Sequence, residues 1–247
     1  MTRRLRTGVF LVGVAGFAAL LGWGFAGLPD FGHYVGPYGN VIVEVVKPQR
    51  HIANAVTAVV FDYRGFDTMG EELILFAAFT GIAILLRETR EHDVRDIVDA
   101  VHSDAVEAVG LVAVPVTFVL ALYVIAHGYL SPGGGFQGGV VVSAAFLLVF
   151  LTGEYRGYLS VAPATAWEAA EGVGAGGFVF LGMFSLTFGL AFLQNFMDLG
   201  TFGSLTSSGS VALVNWSSAL AVAAGFVLIY GEYLQEAMAL RHGKVSR

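Results

Sequence analysis

Two adjacent acids, Glu71 and Glu72, follow the string FDYRGFDTMG at the head of an apolar run. Helix-start carboxylates are favoured by the helix dipole, so they either face water or line the outer end of a cation path. His127 closes another apolar run; there an imidazole anchors at the interface or exchanges protons. Arg64 lies between Asp62 and Asp67, three charges expected to pair with one another and to be partly buried. Thr68 or Asp67 is placed to cap the next helix, with Glu71 completing a capping box three positions after Thr68. A further motif carries backbone chemistry: Ser131 and Pro132 lead into Gly133, Gly134, Gly135, Phe136, Gln137, Gly138 and Gly139. Such glycines reach backbone angles closed to other residues and let another backbone approach closely. At membrane depth their polar groups must be satisfied by protein or water, so a re-entrant or protein-buried turn is expected. A phosphate-binding loop is excluded, because no Lys follows and no strand precedes.

Other chemistries are excluded by composition. The chain has no cysteine, which removes disulfides, catalytic thiols, iron–sulfur clusters and thiolate metal sites. A net charge of −6 argues against nucleic acid as a partner, since that needs clustered Lys and Arg. No cofactor or metal site and no enzymatic activity are expected.

The elements that must position these residues are membrane helices. Of 247 residues, 56% are hydrophobic and only 13% charged, about half the charge of an ordinary soluble domain. Apolar runs at Thr7 to Leu28, Leu73 to Leu86, Val106 to Ala126, Val140 to Leu151, Gly172 to Leu193 and Val211 to Tyr230 predict an all-α bundle of six transmembrane helices. The second and fourth runs reach a full span if their helices begin at Thr68 to Glu72 and at Gln137 to Gly139. With the N-terminus inside, Arg3, Arg4, Arg6, Arg87, Arg90, Arg95, Arg156, Arg241, Lys244 and Arg247 fall in the cytoplasm. Only Lys47, Arg50 and Arg64 of the 13 basic residues fall outside, so both termini are expected in the cytoplasm. The first run is too long for a signal peptide and lacks a clean cleavage site; it reads as a retained span.

Three regions follow: 1–90 with two spans, 91–105 as a cytoplasmic connection, and 106–247 with four spans. Val94, Ile97, Val98 and Val101 give the charge-mixed string RETREHDVRDIVDAVHSD one apolar stripe, which predicts a surface helix. Pro29 to Asp67 forms the longest outer segment, in which Ile52, Val56, Val59, Val60 and Tyr63 predict a short amphipathic helix at the interface or against other helices. No internal repeat relates the two halves. The cluster Gly172, Gly174, Gly176 and Gly177, with a small-xxx-small pair at Gly172 and Gly176, predicts close helix packing together with Gly182 and Gly189, and Phe178, Phe180, Phe184, Phe188 and Phe192 read as lipid-facing or interhelical fillers.

The spans place essentially no ionisable residue at mid-membrane depth, where a charge is costly and is normally retained for an ion path. Glu107, Glu154, Glu171 and Glu232 fall near inner ends. The expectation is a chain that does not conduct alone and packs beside a subunit that does.

The string SPGGGFQGGV, preceded by His127 and Gly128, resembles the MnhB component of the multisubunit Mrp or Mnh sodium/proton antiporters. FDYRGFDTMGEE, at Phe61 to Glu72, resembles the C-terminal segment of MnhA, the large component of the same antiporters, and the small MbhE-type component of membrane-bound hydrogenases. The resemblance implies a multi-pass accessory subunit, in a prokaryotic plasma membrane, of a complex related to respiratory complex I, with other membrane subunits, lipid, Na+ and H+ as its partners. Asp62, Arg64, Asp67 and Glu71 match the MnhA-like motif; His127, Pro132 to Phe136 and Gln137 match the MnhB-like turn. MnhA and MnhB are usually separate chains, so the fusion leaves two parents open: a Mrp-type antiporter, or a redox-driven complex such as a membrane-bound hydrogenase.

Overall fold

The computed structural model describes residues 3–28, 32, 36–86 and 103–245. The predicted connecting helix at 91–105 lies outside the described residues except for its last three positions. The helices are α1 (Arg3–Ala26), α2 (Pro37–Arg50), α3 (Ala55–Ala58), α4 (Gly65–Leu85), α5 (Asp104–Ala126), α6 (Gly135–Val161), α7 (Ala164–Leu186) and α8 (Val211–Val245). A π-turn, Val59–Tyr63, follows α3 directly. Among the described residues, six helices are long and apolar enough to cross a membrane.

The chain divides into two units, 1–42 and 43–247. The first carries α1, a 24-residue helix without an ionisable residue after Arg6. The second is a bundle around α8, against which α4, α6 and α7 pack, while α5 packs chiefly on α6. Residues 211–235 of α8 are the most deeply enclosed span, with Val222, Ala224 and Val227 fully buried. Small side chains explain how one helix accepts three neighbours: α8 reads ALAVAAG over its middle, and backbones approach closely where side chains are small.

Two helix starts differ from the sequence expectation. The fifth span runs Ala164–Leu186 rather than Gly172 to Leu193. A hydropathy window discards the leading stretch because of Glu168 and Glu171, yet ATAWEAAE is rich in good helix formers. The second span begins at Gly65 without a side-chain cap. Thr68 instead donates its hydroxyl to the Val60 carbonyl at 2.6 Å, because the π-turn feeds straight into α4, and no capping box forms. The predicted glycine cluster of α7 divides by helix face. Gly172 and Gly176 face open space, whereas Gly174 and Gly177 lie against Ala221 and Ser217 of α8.

At one end of the bundle the starts of α4, α6 and α8 meet the ends of α5 and α7. Gly65 touches Leu193 and Gly135 touches Asn215, and Phe66 meets Phe192 edge-on. That end is closed by segment 50–64, the turn 127–134 and the irregular stretch 187–210. His51 Nδ1 lies 2.6 Å from the Gly200 carbonyl oxygen, and the Tyr129 hydroxyl donates to the Leu205 carbonyl.

Candidate functional site

The glycine turn is packed into protein, and two asparagines hold it. Asn54 donates through Nδ2 to the carbonyls of Gly128 at 2.8 Å and Ser131 at 3.0 Å. Thr57 donates to the same Gly128 oxygen at 2.6 Å, and the Ala53 and Asn54 amides donate to the Tyr129 carbonyl. On the other side, Asn215 of α8 accepts from the Gly135 amide at 2.6 Å and donates to the Ile125 carbonyl at 2.8 Å. One fully buried side chain thus ties the end of α5 and the start of α6 to α8. Gly134 has φ +143°, and a Cβ on Gly135 would lie 2.1 Å from the Asn215 carbonyl oxygen, so glycine is demanded at both. Gly133, Gly138 and Gly139 also abut neighbouring helices. Pro132 and Gln137 are exposed and Phe136 is half-buried. His127 is half-buried, stacked on Tyr123 with centroids 4.0 Å apart, and its Nδ1 lies 3.1 Å from the Tyr123 carbonyl.

The three expected partners Asp62, Arg64 and Asp67 separate into two pairs. Asp62 pairs with Arg50, while Arg64 pairs with Asp67 at the surface. The π-turn rotates Asp62 toward the end of α2, where the Arg50 guanidinium also lies 5.3 Å from the centre of the Tyr63 ring. Burial pushes the Asp62 carboxyl above the usual carboxylate range, and the Arg50 charge opposes that rise.

Glu71 and Glu72 part company. Glu71 is exposed, whereas Glu72 is only 3% exposed on the face of α4 that meets α8. Ser218 of α8 faces its carboxylate. Neither Glu72 oxygen, nor the Ser218 hydroxyl, completes a hydrogen bond of ordinary geometry among the described residues. Glu171 on α7 is equally buried, at 3%. Its Oε1 has no hydrogen-bond partner among the described residues and lies over Gly225 of α8 beside the Leu75 side chain. Glu232 of α8 is buried as well.

These positions correct the expectation of an electrically empty interior. Glu72 lies seven residues inside α4 and Glu171 seven residues inside α7, about 10 Å from each helix start at 1.5 Å per residue. A span counted from Gly172 excludes Glu171, whereas α7 begins eight residues earlier, at Ala164, and encloses it. Asn54 and Asn215 were not singled out either, although a lone Asn inside the apolar run VALVNWSSALAV was the available signal.

A family model described as a domain related to the MnhB subunit of Na+/H+ antiporters matches residues 105–228, half of the chain. The chain belongs to that family. An uncharacterised protein of Methanocaldococcus jannaschii is 28% identical over 209 residues, covering 74% of this chain and 77% of that one. A probable K+/H+ antiporter A/B component of Rhizobium meliloti is 34% identical over 125 residues, which are 42% of this chain but 12% of that protein. Among solved structures, a chain of the archaeal membrane-bound sulfane sulfur reductase, a respiratory membrane complex, superposes with a TM-score of 0.69 at 29% identity. The match covers 93% of this chain and 98% of that one. A chain of the Mrp complex from Dietzia sp. DQ12-45-1b gives 0.70 at 21% identity, covering 94% of this chain and 26% of that one, and shares the fold. This MnhB-related chain is thus a multi-pass prokaryotic membrane protein whose structural relatives are parts of multisubunit membrane complexes.

Proposed function

We propose that the chain is a non-catalytic membrane subunit of a Mrp-type monovalent cation/proton antiporter complex, packed against proton-conducting subunits and contributing to the ion route. The observation that carries this reading is the MnhB-related domain over residues 105–228. A second reading has its own support. The chain spans nearly all of the matching reductase chain and about a quarter of the Mrp chain, which favours a membrane arm of a redox-driven complex. Both readings give the chain the same task, because neither asks it to carry a redox centre.

Within that task, Glu72 is the carboxylate placed to meet the ion. It is buried beside Ser218, and a carboxylate retained without a fixed counter-charge inside a span is suited to taking up a proton or cation. Glu71 and His127 act at the rim, with both termini and the 91–105 connection on the cytoplasmic side. The test is isolation of the intact complex through this chain, followed by exchange measurements in inverted vesicles with Na+ and K+ arms. Glu72→Gln should leave the complex assembled and depress cation-dependent dissipation of the proton gradient. Iron–sulfur or sulfur-reducing proteins in the isolate would select the redox reading, and unchanged exchange in Glu72→Gln would remove that residue from the route.

A further inference from the structure

A second carboxylate continues inward from Glu72. Ser218, Gly225 and Glu232 repeat every seven residues along α8, a spacing that returns to the same helix face with a drift of about 20° per step. Glu72 of α4 lies at the Ser218 level, and Glu171 of α7 lies over Gly225. Counted along α8 from Val211, these levels fall about 10, 21 and 31 Å from the loop-rich end at 1.5 Å per residue. Glu171 gives a concordant depth from its own helix, since it precedes Leu186, the last residue of α7 at that end, by 15 positions, about 22 Å. The carboxylates on α4 and α7 are therefore at successive levels of one seam along α8, with Glu232 at the next level.

The geometry points to Glu171 as the middle proton-carrying group of this seam, exchanging protons with Glu72 toward the loop-rich end and with Glu232 toward the other. Three observations support it. Glu171 is buried to the same degree as Glu72, and its Oε1 is without a partner among the described residues. Its carboxylate lies where α8 has a glycine and α4 has Leu75, so it reaches the junction of three helices. Its surroundings also suit a proton better than a dehydrated cation. A hard cation takes several oxygen ligands at once, and no group of three acidic or imidazole side chains converges among the described residues. The titratable group beside it is Glu168, one turn earlier on α7, with Glu72 of α4 and Glu232 of α8 at the adjoining levels. No Lys or Arg occurs in α4, in α7 or in residues 211–235 of α8.

In each step one carboxylic acid loses its proton as the next carboxylate gains one, and the charge of the seam is unchanged. Levels about 10 Å apart exceed direct hydrogen-bond reach, so water molecules carry the proton between them.

This inference rests on the proposal that the chain serves an ion-translocating complex in which Glu72 meets the route, and the test separates the two. Glu171→Gln, Glu171→Asp and Glu72→Gln are compared in the intact complex in inverted vesicles, with assembly followed by native mass spectrometry. Glu171→Gln should assemble normally and lower coupled proton flux by roughly a hundredfold, the scale of a lost proton-transfer group. Glu171→Asp should recover flux with a displaced pH profile, which a packing role would not produce. A hydrophobic carbodiimide, which modifies protonated carboxyls in apolar surroundings, should label Glu171 in the wild-type complex, less as pH rises. Normal flux in Glu171→Gln with depressed flux in Glu72→Gln overturns the relay and leaves the proposed function standing; normal flux in both overturns both. Should Glu171→Gln fail to assemble, labelling decides: no modification of Glu171 under conditions that label Glu72 overturns the relay.

Discussion

The glycine turn at 127–139 and the acidic seam along α8 bury polar groups in the same bundle and treat them in opposite ways. In the turn, the backbone groups at Ile125, Gly128, Tyr129, Ser131 and Gly135 are answered by Asn54, Thr57, Asn215 or a neighbouring amide. In the seam, Glu72 and Glu171 bury carboxylates with oxygens that nothing answers among the described residues. Unmet buried polar groups cost free energy wherever they occur. A fold removes that cost where only architecture is at stake and carries it where a group must change its protonation or ligand. Mutations in the turn should therefore lower stability, and mutations in the seam should lower transport.

The largest effect is expected for Asn215→Leu. It leaves the Gly135 amide unmet, which costs about 1–3 kcal/mol, and removes one donor from the Ile125 carbonyl, which keeps the Gly128 amide. Membrane yield and thermal stability in mild detergent should collapse, and wild-type stability would show that the turn does not depend on α8. Gly135→Val comes next. Its side chain cannot fit against the Asn215 carbonyl, and overpacking of this kind costs about 1–3 kcal/mol. Assembled complex should fall in parallel with melting temperature.

The seam should show the opposite sign. Glu72→Leu removes an unsatisfied buried acid, so the melting temperature should hold or rise while cation/proton exchange is lost. A loss of stability as large as that of Asn215→Leu would erase the contrast between the regions. The smallest effect concerns Asp62. Its carboxyl is raised by burial more than the Arg50 charge lowers it, so the folded protein binds a proton more tightly than the unfolded chain. Stability then falls as pH rises from the ordinary aspartate range through the raised value. Asp62→Asn should flatten that slope, measured by thermal unfolding across acidic pH; an unchanged slope would assign it to another group.

Legibility followed the same division. The six apolar runs located six long helices, because span length and apolarity are additive along a sequence. The glycine turn was recognisable for a similar reason, since clustered glycines state a backbone requirement without naming what meets it. Its holders, Asn54 and Asn215, lie 74 and 87 residues from Gly128 in sequence, and only folding brings them together. Glu171 was misplaced because a hydropathy average treats a buried acid as evidence against a span. Glu71 and Glu72 were indistinguishable as neighbours, and helix rotation then sent one outward and the other toward Ser218.

The amino-acid order alone settled that this is an all-α membrane chain with six long apolar spans and no thiol chemistry, because each of these depends on which residues are present and how they are spaced. Which acids lie buried, what they face, and which side chains bind the turn were decided by the bundle. Those properties depend on distances between helices far apart in the chain, and the packing around α8 sets those distances.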